Sequence, residues 1–300
     1  MIFWFLPRYL IDGSSKIIHM DISVIIPTYN EEDVVLECIK SLDTQKLVNK
    51  KFEVIVVDDG STDNTPSIVK SYSAKRYKLI LLKGEHKGPG FARNLGAKSA
   101  SGKVLVFVDS DMTFDIHFLK KLTEPIFKNL TKGTFSKEEI VSNWDKPFAR
   151  CYSLNEGWEK KKRHPKKYPD TQKVFRSILK SEFDKVGGFT PGGYNDDWSL
   201  SEKLGYEAIN ASNAIFYHKN PDNLKEIFKH AIWVGKRKYK LGILGYFVAL
   251  VRSSLPISLV VGLFKSFIYA IPQFLIFKVV YDFGIFVGII KYFLSKQGSK

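Results

Sequence analysis

The chain has 300 residues, of which 44% are apolar, so it can bury a substantial core and does not belong to the intrinsically disordered class. Its 46 Lys and Arg residues against 31 Asp and Glu residues give a formal net charge of +15, which favours anionic partners: nucleic acid, anionic lipid headgroups or phosphorylated substrates. Two cysteines without a C-x-x-C spacing argue against a disulfide scaffold or a zinc site and fit a reducing compartment.

The first ten residues, MIFWFLPRYL, are apolar but are interrupted by Pro7 and Arg8. They lack the basic start and the small-residue cleavage site of a secretory signal peptide. Met20 stands directly before the first clear strand. We therefore treat residues 1–20 as an N-terminal extension outside the fold.

After this extension, short apolar runs alternate with amphipathic segments. Strands are predicted at residues 22–27, 53–57, 78–82 and 104–109. Helices are predicted at residues 31–42, from about 65, and at 91–100. Strands and helices that alternate at this spacing indicate right-handed βαβ units and an α/β fold with a mostly parallel central sheet.

The fourth predicted strand ends in two carboxylates, Asp109 and Asp111. A spacing of two residues on an extended backbone directs both side chains to the same side. Open α/β sheets bind ligands at this carboxyl edge. Paired carboxylates suit a hard divalent cation that also contacts phosphates. The alternative is that both residues cap a turn before the next helix.

The next part of the chain is less regular. A helix is predicted at residues 114–129, and residues 144–170 are predicted to be loop-like. Within that stretch, residues 160–167 include six Lys or Arg residues, which form either a solvated loop or a contact for an anion. Regular structure is predicted to resume near residue 174, with a helix at 199–204 and a strand near 214–217.

A long apolar tract, residues 241–294, contains only a few charged residues. A helical hairpin in the membrane, amphipathic helices in the membrane interface and a buried helical domain all fit this composition. Lys278 and Asp282 are four residues apart, so they can pair on a helix and reduce the cost of burying charge. Basic residues at both ends of the tract predict that both ends face the cytoplasm. They are Lys236, Arg237, Lys238, Lys240, Lys291, Lys296 and Lys300.

Several motifs occur in a characteristic order: VIIPTYNEE (24–32), VVDDGSTDNT (56–65), GPGFARNLGAKSASG (88–102), VFVDSDM (106–112), VGGF (186–189) and DDWSLSEKLGY (196–206). On these motifs the chain resembles the family 2 glycosyltransferases, which are inverting enzymes with the GT-A fold. The resemblance implies a catalytic domain at residues 21–235. The apolar tract and its basic flanks predict that residues 236–300 form a membrane-associated helical region. The resemblance further implies a nucleoside diphosphate sugar as donor and a divalent metal, Mn²⁺ or Mg²⁺. The Gln-x-x-Arg-Trp motif of processive synthases is absent near Trp233, which favours transfer of a single sugar.

The resemblance also implies roles for individual residues that match the family's motifs. Pro27, Tyr29 and Glu31 are implied to contact base and ribose, and Asp59 to read the base. Arg93 is implied to lie near the nucleotide, Asp109 to contact ribose or sugar, and Asp111 to bind the metal. Asp197 takes the place of the catalytic base, with Asp196 in place of the more usual glutamate. His218 lies near a position that completes the metal site in some members, or it is a histidine satisfied by backbone at a strand end.

The expected function is metal-dependent transfer of a single sugar to a lipid or lipid-linked acceptor at the cytoplasmic face of the cell membrane, without nucleic acid as a partner. Two rival functions use the same motifs. The sequence DSDMT fits a haloacid-dehalogenase-type phosphatase with Asp109 as nucleophile, although that family places the motif on its first strand. The second rival is a non-catalytic membrane-bound subunit that binds nucleotide sugars.

Overall fold

The computed structural model describes residues 20–191, 196–237 and 239–295. The predicted extension, apart from Met20, lies outside the described residues, as do Lys238, Lys296 and Lys300 of the basic flanks. The described residues form two compact units. The first unit comprises residues 20–138, 169–191 and 196–216, and the second comprises residues 139–168, 217–237 and 239–295.

The strands of the described residues are β1 Ile22–Thr28, β2 Phe52–Asp58, β3 Lys78–Lys83, β4 Val104–Phe107, β5 Met112–Phe114, β6 Gly133–Phe135, β7 Glu139–Val141, β8 Thr171–Gln172, β9 Ser177–Leu179, β10 Ala208–Asn210 and β11 Phe216–His218. The helices are α1 Val35–Asp43, α2 Thr65–Ser71, α3 Pro89–Ser99, α4 Phe118–Phe127, α5 Pro147–Asn155, α6 Lys180–Lys185, α7 Ser199–Leu204, α8 Leu224–Gly235, α9 Gly242–Arg252, α10 Leu255–Tyr269 and α11 Phe274–Ser295. A short 3₁₀ helix, Asp196–Trp198, precedes α7.

An eight-stranded sheet forms the centre of the first unit, with the strand order β3-β2-β1-β4-β9-β6-β10-β8. The first four of these strands pair in parallel, as do β6 and β10, whereas β9 pairs antiparallel to both β4 and β6. β2 and β4 are buried along their whole length. Strands with both faces buried read as continuous apolar runs, which explains why the sequence revealed them. The predicted mostly parallel α/β sheet is confirmed.

The predicted helix at residues 114–129 begins later than expected, at Phe118. The preceding residues extend as β5, and the Phe114 and Phe118 rings stack with centroids 4.6 Å apart. The loop predicted for residues 144–170 is wrong in part, because it contains α5. This helix starts with Pro147, whose fixed φ suits a first turn, and it buries Cys151 and Tyr152.

The second unit has its own apolar core, in which α8 packs along α11 and α5 contacts the same helix. Gly288 allows this close approach, since a Cβ atom there would lie 2.3 Å from the carbonyl oxygen of Ile232. The predicted domain boundary at residue 235 differs from the division of the chain into two compact units. Residues 139–168 and 217–235 belong to the second unit, because their apolar side chains complete the core around Phe274 and Phe277.

α9 and α10 are apolar and largely exposed, with Phe247, Phe264 and Phe267 at 63%, 65% and 88% exposure. Within the described residues, no helix by itself has the length and hydropathy to cross a membrane, although α9 and α10 meet that test as a pair bent by 63°. The predicted ion pair is present: Lys278 Nζ lies 2.6 Å from Asp282 Oδ1. Asp282 also accepts a hydrogen bond from Ser258 Oγ at 2.6 Å.

Candidate active site

The carboxyl ends of β1, β2 and β4 lie side by side at one edge of the sheet. In the register of these strands, Thr28 lies opposite Asp58 and Ile25 opposite Phe107. Parallel pairing therefore brings the segments that follow each strand to the same edge, where α/β sheets bind ligands. Those segments carry the predicted site residues Tyr29, Glu31, Asp59, Asp109 and Asp111.

Tyr29 and His86 form an aromatic pair at this edge, with ring centroids 4.3 Å apart. Tyr29 is 42% exposed, and Nδ1 of His86 lies 3.2 Å from the carbonyl oxygen of Asp59. An exposed aromatic face offers a stacking surface for a nucleobase. Sequence reasoning missed His86, because no motif marks a histidine in the loop after β3.

The Asp59 carboxylate holds the backbone of that loop. Its Oδ1 accepts a hydrogen bond from the Lys87 N–H at 3.1 Å, and its Oδ2 accepts one from the Gly88 N–H at 2.7 Å. Asp59 is only 4% exposed. Its implied role in base reading stays a prediction, while the structure gives it a second role: shaping the loop that presents His86.

Pro27 and Glu31 flank Tyr29 on either side. Pro27 lies opposite Val57 in the sheet, and the backbone N–H of Glu31 donates to Thr65 Oγ1 at 2.8 Å. Both residues are half-buried. Their implied contacts with base and ribose stay predictions, and their positions fix the turn from which Tyr29 projects.

Arg93 joins the two acidic motifs, which lie far apart in the chain. Its Nη2 lies 2.9 Å from Asp109 Oδ1, and its Nη1 donates to Asp197 Oδ1. Arg176 Nη1 lies 3.2 Å from the second oxygen of Asp109. The Arg93 side chain is 8% exposed and the Asp197 side chain 39%. Charge-assisted hydrogen bonds of this kind fix side-chain orientation, so Asp197 is held in place but stays accessible.

Arg176 was missed by sequence reasoning. Its backbone carbonyl accepts from the Phe107 N–H at 2.9 Å, which places this residue beside the end of β4. The pairing is antiparallel and joins residues far apart in the chain. No local spacing pattern reports such a pairing.

α3 anchors the segment that contains Asp197. The Gly90 N–H donates to Asp196 Oδ2 at 3.2 Å, and a Cβ atom at position 90 would lie 2.4 Å from that oxygen. Asn94 bonds both backbone groups of Phe189, accepting from its N–H at 2.9 Å and donating to its carbonyl at 2.8 Å. Asp196 is 5% exposed. The structure therefore gives it an anchoring position at the start of α3, while the neighbouring Asp197 is accessible.

Asn94 was also missed, although it stands next to Arg93 in the motif ARNLG. Its position next to Arg93 was the signal that could have identified it as a site residue. Two neighbouring polar residues on a helix of small residues both contact the segment from Phe189 to Asp197. Sequence reasoning identified only Arg93 as a candidate site residue.

Three carboxylates gather around the buried thiol of Cys38. Burial raises the pKa of this thiol well above its usual value, and the negative charges of Asp111, Asp109 and Glu31 raise it further. The Sγ atom lies 3.7 Å from the carbonyl oxygen of Asp109. The charges of Glu31, Asp109 and Asp111 thus all act on one buried thiol, as expected for residues at the same edge of the sheet.

These residues fit a metal that is shared with a phosphorylated ligand. In the part of the chain that the structure describes, no group of three or more His, Cys, Asp or Glu side chains is placed to hold a metal ion. Mg²⁺ is commonly bound by one or two carboxylates together with substrate phosphates. Asp111, beside Asp109 at the sheet edge, fits that mode.

His218 belongs to the second unit, where its Nδ1 lies 3.0 Å from Glu139 Oε1. Arg163 Nε lies 3.5 Å from the same carboxylate oxygen. The predicted metal site paired His218 with Asp111. The structure gives His218 a carboxylate partner within its own unit, so the metal proposal below rests on Asp111.

Solved structures of similar fold are glycosyltransferases. Residues 1–349 of Staphylococcus aureus TarS in complex with UDP-GlcNAc match with a TM-score of 0.54 at 18% identity, covering 93% of both chains. Mannosyltransferase PcManGT from Pyrobaculum calidifontis, in complex with GDP-Man and Mn²⁺, matches with a TM-score of 0.55 at 18% identity, covering 92% of this chain and 88% of the other. At this level of identity the likeness shows a shared fold.

Sequence relatives are similar over a shorter stretch. The poly(ribitol-phosphate) beta-N-acetylglucosaminyltransferase TarS of S. aureus is 46% identical over 93 residues, which are 31% of this chain and 16% of TarS. Glycosyltransferase AglE of Haloferax volcanii is 41% identical over 91 residues, 30% of each chain. The chain thus matches less than a third of the length of these curated relatives.

The sequence profile of glycosyl transferase family 2 matches residues 23–187, which is just over half of the chain. The matched range includes β2, β4 and all of β1 except its first residue. It also includes Arg93, Asp109 and Arg176. Asp197 follows ten residues after its end. The chain belongs to glycosyl transferase family 2.

Proposed function

We propose that this glycosyltransferase transfers one sugar, with inversion, from a nucleoside diphosphate sugar to a lipid or lipid-linked acceptor. The observation that carries the proposal is the arginine bridge. Arg93 contacts Asp109 at the sheet edge and Asp197 on the segment after α6. One side chain thereby connects the donor edge with the carboxylate that we assign as the base.

In this mechanism the acceptor hydroxyl attacks the anomeric carbon opposite the leaving diphosphate. A C–O bond forms, the bond from that carbon to the diphosphate oxygen breaks, and Asp197 takes the hydroxyl proton. A positioned base of this kind contributes about 10² to 10⁴ in rate. Arg93 holds Oδ1 of Asp197, which orients the carboxylate.

The nucleoside is held at the ends of β1 to β3. The exposed Tyr29 ring, paired with His86, supplies a stacking surface for the base, and the loop that Asp59 organises lies beside it. The solved relatives hold UDP-GlcNAc, UDP and GDP-Man. Uracil and guanine both fit this arrangement of an aromatic ring and a carboxylate.

Asp111 is the residue that we assign to the divalent metal, Mn²⁺ or Mg²⁺. Such a cation, when bound, neutralises charge that develops on the leaving diphosphate. The Mn²⁺ complex of the Pyrobaculum mannosyltransferase supports this choice. Asp109 contributes through its two arginine partners, which position the sugar side of the site.

The second unit associates with the membrane through α9 and α10. Their apolar side chains are more than half exposed at Phe247, Phe264 and Phe267, and patches of this kind bind membranes or partner proteins. Lys236 and Lys240 precede α9, and each basic residue adds about 1 kcal/mol at an anionic lipid surface. These features support our proposal that the enzyme works at the cytoplasmic face, next to a lipid-linked acceptor.

The rival phosphatase function is not retained. Both oxygens of Asp109 contact arginines, its strand comes fourth in the chain, and the chain belongs to glycosyl transferase family 2. The second rival is a non-catalytic subunit, which would bind the donor without turning it over. The assay below distinguishes this alternative from an enzyme.

The test is a hydrolysis screen of UDP- and GDP-sugars with Mn²⁺ or Mg²⁺, read as released nucleoside diphosphate. We expect turnover with one donor class, lost when the metal is chelated. Donor binding without any release, with or without added lipid acceptors, would instead identify the non-catalytic subunit.

A further inference from the structure

The second unit contains a cluster of positive and imidazole side chains that the proposed mechanism does not use. We define the cationic cluster as Arg163, His218, His230 and Arg237. It lies in the unit formed by residues 139–168 and 217 onward, and its members come from three separate stretches of sequence. Sequence reasoning named the basic run at residues 160–167, His218 as a candidate metal ligand and Arg237 as part of a basic flank, but it did not group them into one site.

Aromatic rings connect the members of the cluster. The Arg163 guanidinium lies 5.3 Å from the Trp158 ring centroid, and the Arg237 guanidinium lies 5.1 Å from that of Trp233. Between them, the His230 ring lies 5.6 Å from Trp233, and its Nδ1 lies 3.3 Å from the Tyr152 hydroxyl. Guanidinium groups stacked on tryptophan are oriented with their edges available for hydrogen bonds.

Two members of the cluster share one carboxylate. Glu139 contacts both Arg163 and His218 through one oxygen. Arg163 Nη1 is nevertheless buried without a hydrogen-bond partner within the described residues. A buried guanidinium nitrogen that lacks an acceptor leaves its desolvation cost uncompensated, so this donor favours an anionic ligand.

His230 lies near the same charged groups, and they affect the pKa of its imidazole. Burial, together with the nearby charges of Arg163, Arg237 and His218, lowers the pKa of this imidazole from its usual 6.5 to about 4. These groups therefore disfavour a proton on His230, which is half-buried. An anion bound among them would relieve this repulsion.

The backbone holds the basic run in position. The Arg163 N–H donates to the Glu139 carbonyl at 3.1 Å, and the Val141 N–H donates to the Lys161 carbonyl at 2.8 Å. The exposed lysines of the run, among them Lys166 and Lys167, therefore flank the half-buried Arg163 on a segment paired with β7. Flanking positive charge raises the local concentration of anions.

We infer that the cationic cluster binds a phosphate group of the acceptor, with Arg163 and Arg237 as its principal ligands. Guanidinium groups recognise phosphate through paired N–H donors. The orphaned Arg163 donor, together with Arg237, which acts on the same histidine, provides this chemistry. That this phosphate belongs to the acceptor rests on the proposed function. The phosphate site itself is inferred from residues of the second unit alone. A lipid phosphate and a phosphodiester of a soluble glycan share this chemistry.

The test measures phosphate binding to the full chain in an uncharged detergent by calorimetry. The probes are dodecyl phosphate for the lipid source and glycerol 2-phosphate for the soluble source. We expect Arg163→Gln and Arg237→Gln each to weaken binding at least tenfold. Lys167→Gln, which removes an exposed charge from the same run, should change it less than twofold. Tighter binding of the dodecyl ester indicates a lipid phosphate, and equal binding indicates a soluble ester.

Unchanged affinity in Arg163→Gln would overturn the inference. If that variant does not fold, the wild-type chain still decides the question through the NMR titration of His230, assigned with His230→Gln. Saturating glycerol 2-phosphate should raise its pKa by at least one unit, and an unmoved titration would overturn the site. Wild-type phosphate binding without any donor hydrolysis would contradict the proposed function and leave the phosphate site standing.

Discussion

Arg93 and Arg163 show two different ways in which this chain uses an arginine. Arg93, in the first unit, contacts two carboxylates, Asp109 and Asp197. Arg163, in the second, shares one carboxylate with His218 and has a buried nitrogen that finds no hydrogen-bond partner among the residues that the structure describes. A compensated arginine fixes the positions of its partners, whereas an undercompensated one favours an incoming anion. In our proposals the first unit accordingly carries the chemistry and the second recognises the phosphate of the acceptor.

The sharpest test of the first region removes the metal-binding carboxylate. Asp111→Asn should lower turnover about a thousandfold, because a bound cation supplies several kcal/mol of charge stabilisation. Metal-dependent nucleotide binding, measured by calorimetry with and without Mn²⁺, should be lost as well. Asp184→Asn, which neutralises an exposed carboxylate on α6, is the control. Full activity in Asp111→Asn would remove this residue from the mechanism.

A second substitution in the same region tests the base. Asp197→Asn retains an oxygen that can accept from Arg93, but it cannot take a proton. We expect kcat to fall at least about a hundredfold while donor affinity stays near wild type. Initial rates and donor binding measure the two effects separately. A small loss, together with turnover of a lipid phosphate, would show that the acceptor brings its own negative charge, and Asp197 would then only position it.

The apolar surface of the second unit has a smaller expected effect. Phe267 is 88% exposed on α10, and burying a phenylalanine side chain contributes about 1.5 to 3 kcal/mol. Phe267→Ser should therefore weaken binding to vesicles that contain anionic lipid by about 10- to 100-fold, measured by flotation. Leu130→Ser alters a residue of the first unit that is 71% exposed and should have no effect. Equal losses in both variants would contradict the assignment of α10.

The pH dependence of stability gives the smallest effect. Because burial lowers the pKa of His230 to about 4, the unfolded chain binds a proton below pH 6.5 while the folded chain does not. Stability should thus fall as the pH drops from 6.5 toward 4. At pH 5.5 this histidine should account for about 1.4 kcal/mol. Denaturant unfolding at pH 7.5 and 5.5 should show that loss in the wild type and in the exposed control His117→Gln, but not in His230→Gln.

The sequence revealed the parts of the fold that depend on local patterns. Buried apolar runs predicted β1 to β4, and the residues at their ends predicted which carboxylates would converge. Arg176 and His86 depend on pairings between distant segments, which leave no periodicity behind. The second unit was harder still, because α5 and α11 are separated by more than a hundred residues and share one core. The cationic cluster follows from that packing and not from the basic run alone.

The three carboxylates around Cys38 have a practical consequence for labelling. Burial, together with those charges, raises the pKa of this thiol, and burial raises that of Cys151 to about 12. The chain has only these two cysteines, and both are buried. Since the thiolate is the reactive form, the wild-type chain should resist maleimide at neutral pH. A cysteine introduced at Lys167 would then be the single site of modification, and a fluorophore there could follow the approach of an acceptor to the basic run.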